Sequence, residues 1–188
     1  MEQKQRKHWT WDDYARLPDD GRRYEVIEGA LVVMTGPSYE HQFTVAEIHA
    51  VLRAWAAAGP GGDVLFAPLD VELAHDIVLQ PDVIWISPDR IAQIVDHHVR
   101  GIPDLVVEVL SPSTERRDRI RKAALYARYH AKEYWLVDPS SATVEIHRHQ
   151  KRRFVLHAKG RGGDILTSSL DPALHVVPER LFRRPTPY

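Results

Sequence analysis

The sequence predicts a single domain of α/β or α+β class, built on one mixed sheet of about seven or eight strands flanked by helices. Three observations carry that expectation. The run Leu105-Val106-Val107-Glu108-Val109-Leu110 is apolar at both odd and even positions, which marks a central strand covered on both faces. Strand-like and helix-like segments are interleaved along the chain, which speaks against a sandwich. At 188 residues, 44% hydrophobic and 27% charged, the chain suits one substantial core better than two domains.

The elements follow in order. Residues 1–10 are expected to be a flexible tail, with the domain at 11–188. Thr10 caps a short helix whose first turn holds Asp12 and Asp13. Arg23–Ile27 and Ala30–Met34 read as a hairpin closed at Glu28-Gly29, where glycine supplies positive φ. Pro37-Ser38 opens a long helix in which His41, Val45, Ile48, Leu52 and Trp55 share one face, and Gly59-Pro60-Gly61-Gly62 ends it. Two extended pieces, 63–67 and 69–73, flank Pro68, and a turn at Ala74-His75-Asp76 leads into a strand from Val78 to Ile86. A short helix is expected at 87–95 and a loop at 96–103, where the adjacent His97 and His98 are assigned to the surface. After the strand at 105–110, a helix is expected over about 115–129. Strands at 134–138, 143–147 and 154–157 come next, then an irregular wrap over a sheet edge.

Composition excludes several chemistries. Without cysteine there are no disulfides, zinc-thiolate sites, iron-sulfur clusters or cysteine nucleophiles. No apolar stretch approaches bilayer-spanning length and Met1 to Lys7 lacks a signal-peptide core, so a cytoplasmic protein with no membrane partner is expected. The formal net charge of −1 provides no global attraction to nucleic acid. Positive charge is local, with Arg116, Arg117, Arg119, Arg121 and Lys122 in one cluster.

Two acids interrupt apolar runs. On the central strand Glu108 shares a face with Val106 and Leu110, and Asp82 shares one with Ile84 and Ile86. A buried carboxylate either neutralises or finds a partner. Two that face each other call for a cation, and oxygen-only donors favour magnesium, manganese or calcium. The competing reading pairs each acid with an arginine of the basic helix. On that helix Asp118 and Lys122 are four apart, on one face, so packing against the sheet can bring the lysine beside the carboxylates.

The series Gln80-Pro81-Asp82, Glu108 to Thr114, Asp118, Lys122 and Glu133 to Pro139 resembles the Uma-type family of proposed restriction endonucleases, a branch of the PD-(D/E)XK nuclease superfamily. Arg23 to Gly29, Pro37-Ser38 with His41, and Gly163 to Ser168 extend the resemblance from about Trp11 to Phe182. It implies a restriction-endonuclease-like fold in which Asp82 and Glu108 bind a divalent metal, Mg2+ or alternatively Mn2+, beside a catalytic lysine. Leu110 stands where the superfamily usually has that lysine, and Lys122 matches variants that carry it on the following helix. The resemblance implies a further acid at Glu25 and site-lining roles for Gln80 and His41. It also implies an endonuclease acting on DNA. For that reaction the local cluster Arg116, Arg117, Arg119 and Arg121 offers a DNA-contacting surface, and a homodimer is the simplest cutter of both strands. Two rivals remain: a nuclease-fold DNA-binding or assembly module without useful hydrolysis, and a hydrolase of small phosphoesters.

Overall fold

The computed structural model describes residues 7–182 and contains two six-stranded mixed sheets with helices packed against them, so the expected class holds while the single sheet becomes two. Residues 1–6 of the expected tail and 183–188 of the expected domain lie outside the described residues. Within residues 7–10, the Trp9 N–H donates to the Gly29 carbonyl at 2.9 Å and Lys7 pairs with Asp13 at 2.8 Å.

Helix α1, Trp11–Tyr14, has Thr10 as N-cap, and a capping box with Asp13 closes it. Strands β1, Arg23–Ile27, and β2, Ala30–Met34, form the hairpin expected from Glu28-Gly29. Both turn residues have positive φ, 50° and 75°, as a two-residue turn of type I′ requires. Helix α2, Tyr39–Ala58, is capped by Ser38 and buries Val45, Ile48, Leu52 and Trp55.

The two extended pieces around Pro68 belong to different sheets. Strand β3, Asp63–Phe66, lies at the edge of the second sheet, and β4, Val71–Ala74, is inside the first. The expected strand from Val78 to Ile86 is likewise divided. Strand β5, Ile77–Leu79, pairs with β1 and β4, whereas β6, Val83–Ile86, pairs with β3. Gln80-Pro81-Asp82 crosses from one sheet to the other. Pro81 has no N–H for a ladder, which is the physical reason a continuous strand fails there. Asp82 therefore sits at a bend between strands and not inside one.

A 3-10 helix at Pro88–Gln93 precedes a small hairpin, β7, Ile94–Val95, with β8, His98–Arg100, where the end of the short helix and a loop were expected. His98 is also not a surface residue. It is buried, stacks on Trp11 with ring centroids 4.1 Å apart, and lies 3.3 Å from Glu72 Oε2, while His97 is exposed.

Strand β9, Leu105–Val109, is central in the second sheet, antiparallel to β6 and parallel to β10, Glu133–Asp138. Strands β11, Thr143–Gln150, and β12, Arg153–Arg161, continue that sheet. Between β9 and β10 runs a helix that begins as a π turn, Arg117–Lys122, and continues as α3, Ala123–Arg128. The terminal wrap contains the two-residue strands β13, Leu166–Thr167, and β14, His175–Val176, then α4, Pro178–Leu181. Glu133, wholly buried without a cation, accepts from Trp135 Nε1, Ser168 Oγ and the backbone N–H and hydroxyl of Ser169, which fastens this wrap to the sheet.

Alternation along β9 decides what covers each face. Leu105, Val107 and Val109 join the core formed with α2 and the wrap. Val106 and Leu110 join the core formed with the first sheet and α3. Glu108 points into that second layer, as its parity requires.

Asp104, just before β9, anchors the start of the strand. Its buried carboxylate accepts from the Ser87 N–H at 2.9 Å and faces Lys132 at 2.7 Å and Arg90 at 3.5 Å. Burial raises its pKa, but these partners outweigh burial and hold it below the usual aspartate value. A depressed folded pKa means the contribution is complete above the unfolded value and is lost as pH falls through the folded one. Asp104→Asn is expected to lower stability by about 2 kcal/mol at neutral pH, with the difference from the parent shrinking below about pH 4. Urea unfolding across pH measures it, and a constant difference down to acid pH would contradict it.

Candidate active site

The hairpin, the sheet-to-sheet crossing, β9 and the π turn bring five predicted residues together. Lys122 Nζ lies 2.8 Å from Glu25 Oε1, 3.0 Å from Glu108 Oε1 and 3.8 Å from Asp118 Oδ1. Glu25 is 0% exposed, Glu108 3%, Asp118 2% and Lys122 1%. The Tyr126 hydroxyl donates to Glu108 Oε1 at 2.7 Å, so a residue one turn beyond Lys122 also serves the site. The Ala123 N–H reaches back to the Asp118 carbonyl, and Asp118 and Lys122 are both buried on one face of this turn while Ile120, between them, is 59% exposed.

Asp82 approaches from the crossing. Its Oδ2 accepts the Val109 N–H at 2.7 Å and lies 3.3 Å from His41 Nε2, which extends from the first turn of α2. Gln80 lines the site and braces it: its N–H donates to Glu25 Oε1 at 2.9 Å, and its amide donates to Asp70 Oδ1 at 2.9 Å. Leu110 is buried in the core, so the aliphatic residue fills space while the ammonium arrives from the helix opposite.

A cavity of about 350 Å3 opens beside these groups, lined by His41, Gln80, Asp82, Glu108, Asp118 and Lys122 and rimmed by Pro37-Ser38 and Ser111 to Thr114. Arg23 and Glu40 also line it, and neither stood out in the sequence, although Arg23 heads the strand that carries Glu25.

The basic cluster is dispersed by the fold. Arg119 pairs with Glu115 at 2.8 Å and with Glu145 at 3.1 Å, Arg121 faces Glu28 at 3.6 Å, and Arg116 is exposed. Arg117 turns inward and lines the cavity. The reading in which arginines neutralise the two strand acids does not match this arrangement, because Lys122 is the cation on Glu108 and His41 stands beside Asp82.

The electrostatics follow from burial. Burial pushes the Glu108 carboxyl well above its ordinary pKa, Lys122 opposes this, and Asp118, Asp82 and Glu25 reinforce it. Asp118 is raised by burial and lowered in part by Lys122. Burial disfavours the charged form of Lys122, but Glu108, Glu25 and Asp118 more than compensate, so the ammonium is held.

This donor set fits a hard divalent cation. Glu25, Glu108 and Asp118 face Lys122, Glu25 and Asp118 also face Arg117, and Asp82 faces His41, so four carboxylates meet two fixed cations and two formal negative charges are left in excess. Buried polar atoms without a hydrogen bond concentrate here: Glu25 Oε2, His41 Nδ1, Gln80 Oε1, Asp118 Oδ1 and two nitrogens of Arg117. Both hydrogen bonds to the Glu108 carboxylate fall on Oε1. Among the described residues no three His, Asp or Glu side chains form a ready-made metal cage. A magnesium ion needs none, since it commonly takes one or two carboxylates and completes its shell with water and phosphate oxygens.

Comparisons with known proteins agree with this arrangement at the level of family and fold. The model of the Uma2 family, described as "Putative restriction endonuclease", matches residues 11–175. Among solved structures, one titled as a "putative nuclease belonging to DUF820" from Anabaena variabilis ATCC 29413 superposes with a TM-score of 0.76 at 20% identity, covering 92% of this chain and 97% of that one. No curated protein matches. Among the described residues no helix is long and apolar enough to cross a membrane.

Proposed function

The chain belongs to the Uma2 family, and from that premise we propose that it is a magnesium-dependent endonuclease that hydrolyses phosphodiester bonds in DNA. The observation that carries the reading is the buried constellation of Asp82, Glu108 and Lys122, three residues from separate elements that converge on one cavity. Asp82 and Glu108 are the metal-holding residues, and the ion, when bound, supplies an activated water and charge to offset that developing on the phosphate. The Val109 N–H fixes the Asp82 carboxylate, and Lys122 and Tyr126 fix that of Glu108. Lys122 has three N–H groups, two of them directed at Glu108 and Glu25. The third is available to orient the attacking water. Manganese is expected to substitute for magnesium, since both suit oxygen donors.

A second reading is favoured by the enclosure of the site. The key carboxylates are nearly inaccessible, and a cavity of about 350 Å3 falls in the small-ligand range of about 300–1,000 Å3. A small phosphodiester could reach Glu108 where an intact duplex could not. The deciding experiment is a cleavage screen of duplex DNA, single-stranded DNA, RNA and bis(p-nitrophenyl) phosphate, each with magnesium or manganese. Metal-dependent DNA cleavage is the expected result. Hydrolysis of the small ester alone would favour the second reading, and salt-dependent DNA binding without hydrolysis would leave a binding or assembly module.

A further inference from the structure

Arg117 carries a guanidinium that the protein holds by charge, and two of its nitrogens have no acceptor among the described residues. Its Nε lies 3.8 Å from Asp118 Oδ1 and 4.0 Å from Glu25 Oε2, both beyond hydrogen-bond distance. Nε and Nη2 are buried, and neither makes a hydrogen bond within the described residues. The same side chain lines the cavity with Asp82, Glu108 and Lys122. Its neighbours behave differently: Arg119 donates to two carboxylates and Arg121 faces Glu28.

Leaving a desolvated donor without a partner is costly, and more so when it is charged. Packing alone does not account for that cost here, because a lysine or leucine would fill the space without presenting a buried fork. The cost is recovered when a ligand supplies the oxygens, and a guanidinium fork matches two oxygens of a tetrahedral phosphate. Lys122 is poorly placed for that task, since Glu25 and Glu108 already engage its ammonium.

We infer that Arg117 is the phosphate anchor of this site, taking two non-bridging oxygens of the substrate phosphodiester while the charges of Asp118 and Glu25 hold the guanidinium beside the cavity. This rests on the nuclease reading above for the identity of the substrate, but the anchoring of a phosphate group is testable apart from it. The partition of roles is then clear: Asp82 and Glu108 serve the metal, Lys122 holds the carboxylates in place, and Arg117 holds the ester.

The test compares the parent with Arg117→Gln, Arg117→Lys and, as a control outside the cavity, Arg128→Gln. Binding of a fluorescent single-stranded oligothymidylate is measured in calcium across a salt series, and protection from thermal unfolding is measured with inorganic phosphate. Arg117→Gln is expected to weaken oligonucleotide binding about tenfold or more and to reduce the salt slope by about one. Arg117→Lys should restore the slope but only part of the affinity, because it keeps the charge and loses the fork. A residue with a merely structural role would move the unfolding temperature and leave the slope alone. If the parent neither binds nor cuts nucleic acid, the nuclease reading fails, and phosphate protection that is present in the parent and lost in Arg117→Gln still upholds the anchor. Equal oligonucleotide affinity and equal phosphate protection in parent and Arg117→Gln would overturn it, as would the absence of both in the parent.

Discussion

Glu108→Gln is expected to reduce metal-dependent cleavage by about a thousandfold or more while leaving the fold intact. The activity loss follows from removing one of the two carboxylates proposed to hold the ion, whose transition-state contribution is several kcal/mol at about 1.4 kcal/mol per factor of ten. The intact fold follows from the hydrogen bonds. A glutamine carbonyl still accepts from the Tyr126 hydroxyl and Lys122, so no buried donor is abandoned. The substitution also removes a negative charge from a cluster in which burial already pushes the Glu108 carboxyl up and the neighbouring acids add to the strain. Stability in the absence of metal should therefore be unchanged or higher, and the rise in unfolding temperature on adding magnesium, present in the parent by mass action, should disappear. Cleavage rates at saturating magnesium and thermal midpoints with and without the ion decide it. Undiminished cleavage would end the proposed mechanism.

Lys122→Met should behave in the opposite way, destroying stability as well as activity. Its ammonium is the near neighbour of Glu25, Glu108 and Asp118, all with exposures of 3% or less. Removing the cation strands these carboxylates in a low-dielectric layer, and breaking a buried pair from one side costs about 3–5 kcal/mol. For a protein of ordinary stability that is a large part of the total. Combining Lys122→Met with Glu108→Gln removes one charge of each sign, so the double variant should be more stable than the sum of the two changes predicts by at least about 1 kcal/mol. Urea unfolding of the four proteins measures the coupling. A Lys122→Met protein as stable as its parent would show that the ion pairs seen in the structure carry no energy.

Much of this was legible from residues alone, and the exceptions have physical causes. Glu108 was visible because a charge inside an unbroken apolar strand is expensive wherever the strand lies. The α2 stripe and the Glu28-Gly29 turn were visible because their signals are local. Asp82 stands out in the sequence as an acid in an apolar run and does line the cavity, but the run around it is not one strand. Pro68 and Pro81 both marked places where a ladder must stop, yet alternation was followed across Pro81, and membership of two separate sheets is a matter of long-range pairing that no window of residues encodes. His98 looked like half of an exposed pair because its partners, Trp11 and Glu72, are far away in the chain. The π turn left no trace because Asp118 and Lys122 lie four apart and share a face in an ordinary helix too.

The crossing at Gln80-Pro81-Asp82 has a mechanical meaning. Glu25 hangs from the first sheet and Glu108 from the second, and one ammonium joins them. The site is therefore a seam between two stiff plates and not a pit in one of them. Any sliding of one sheet past the other stretches Lys122 between its two acids, and any ligand that pulls on either acid loads the seam. Strain between the two layers is therefore felt first at Lys122, the side chain that touches an acid from each sheet.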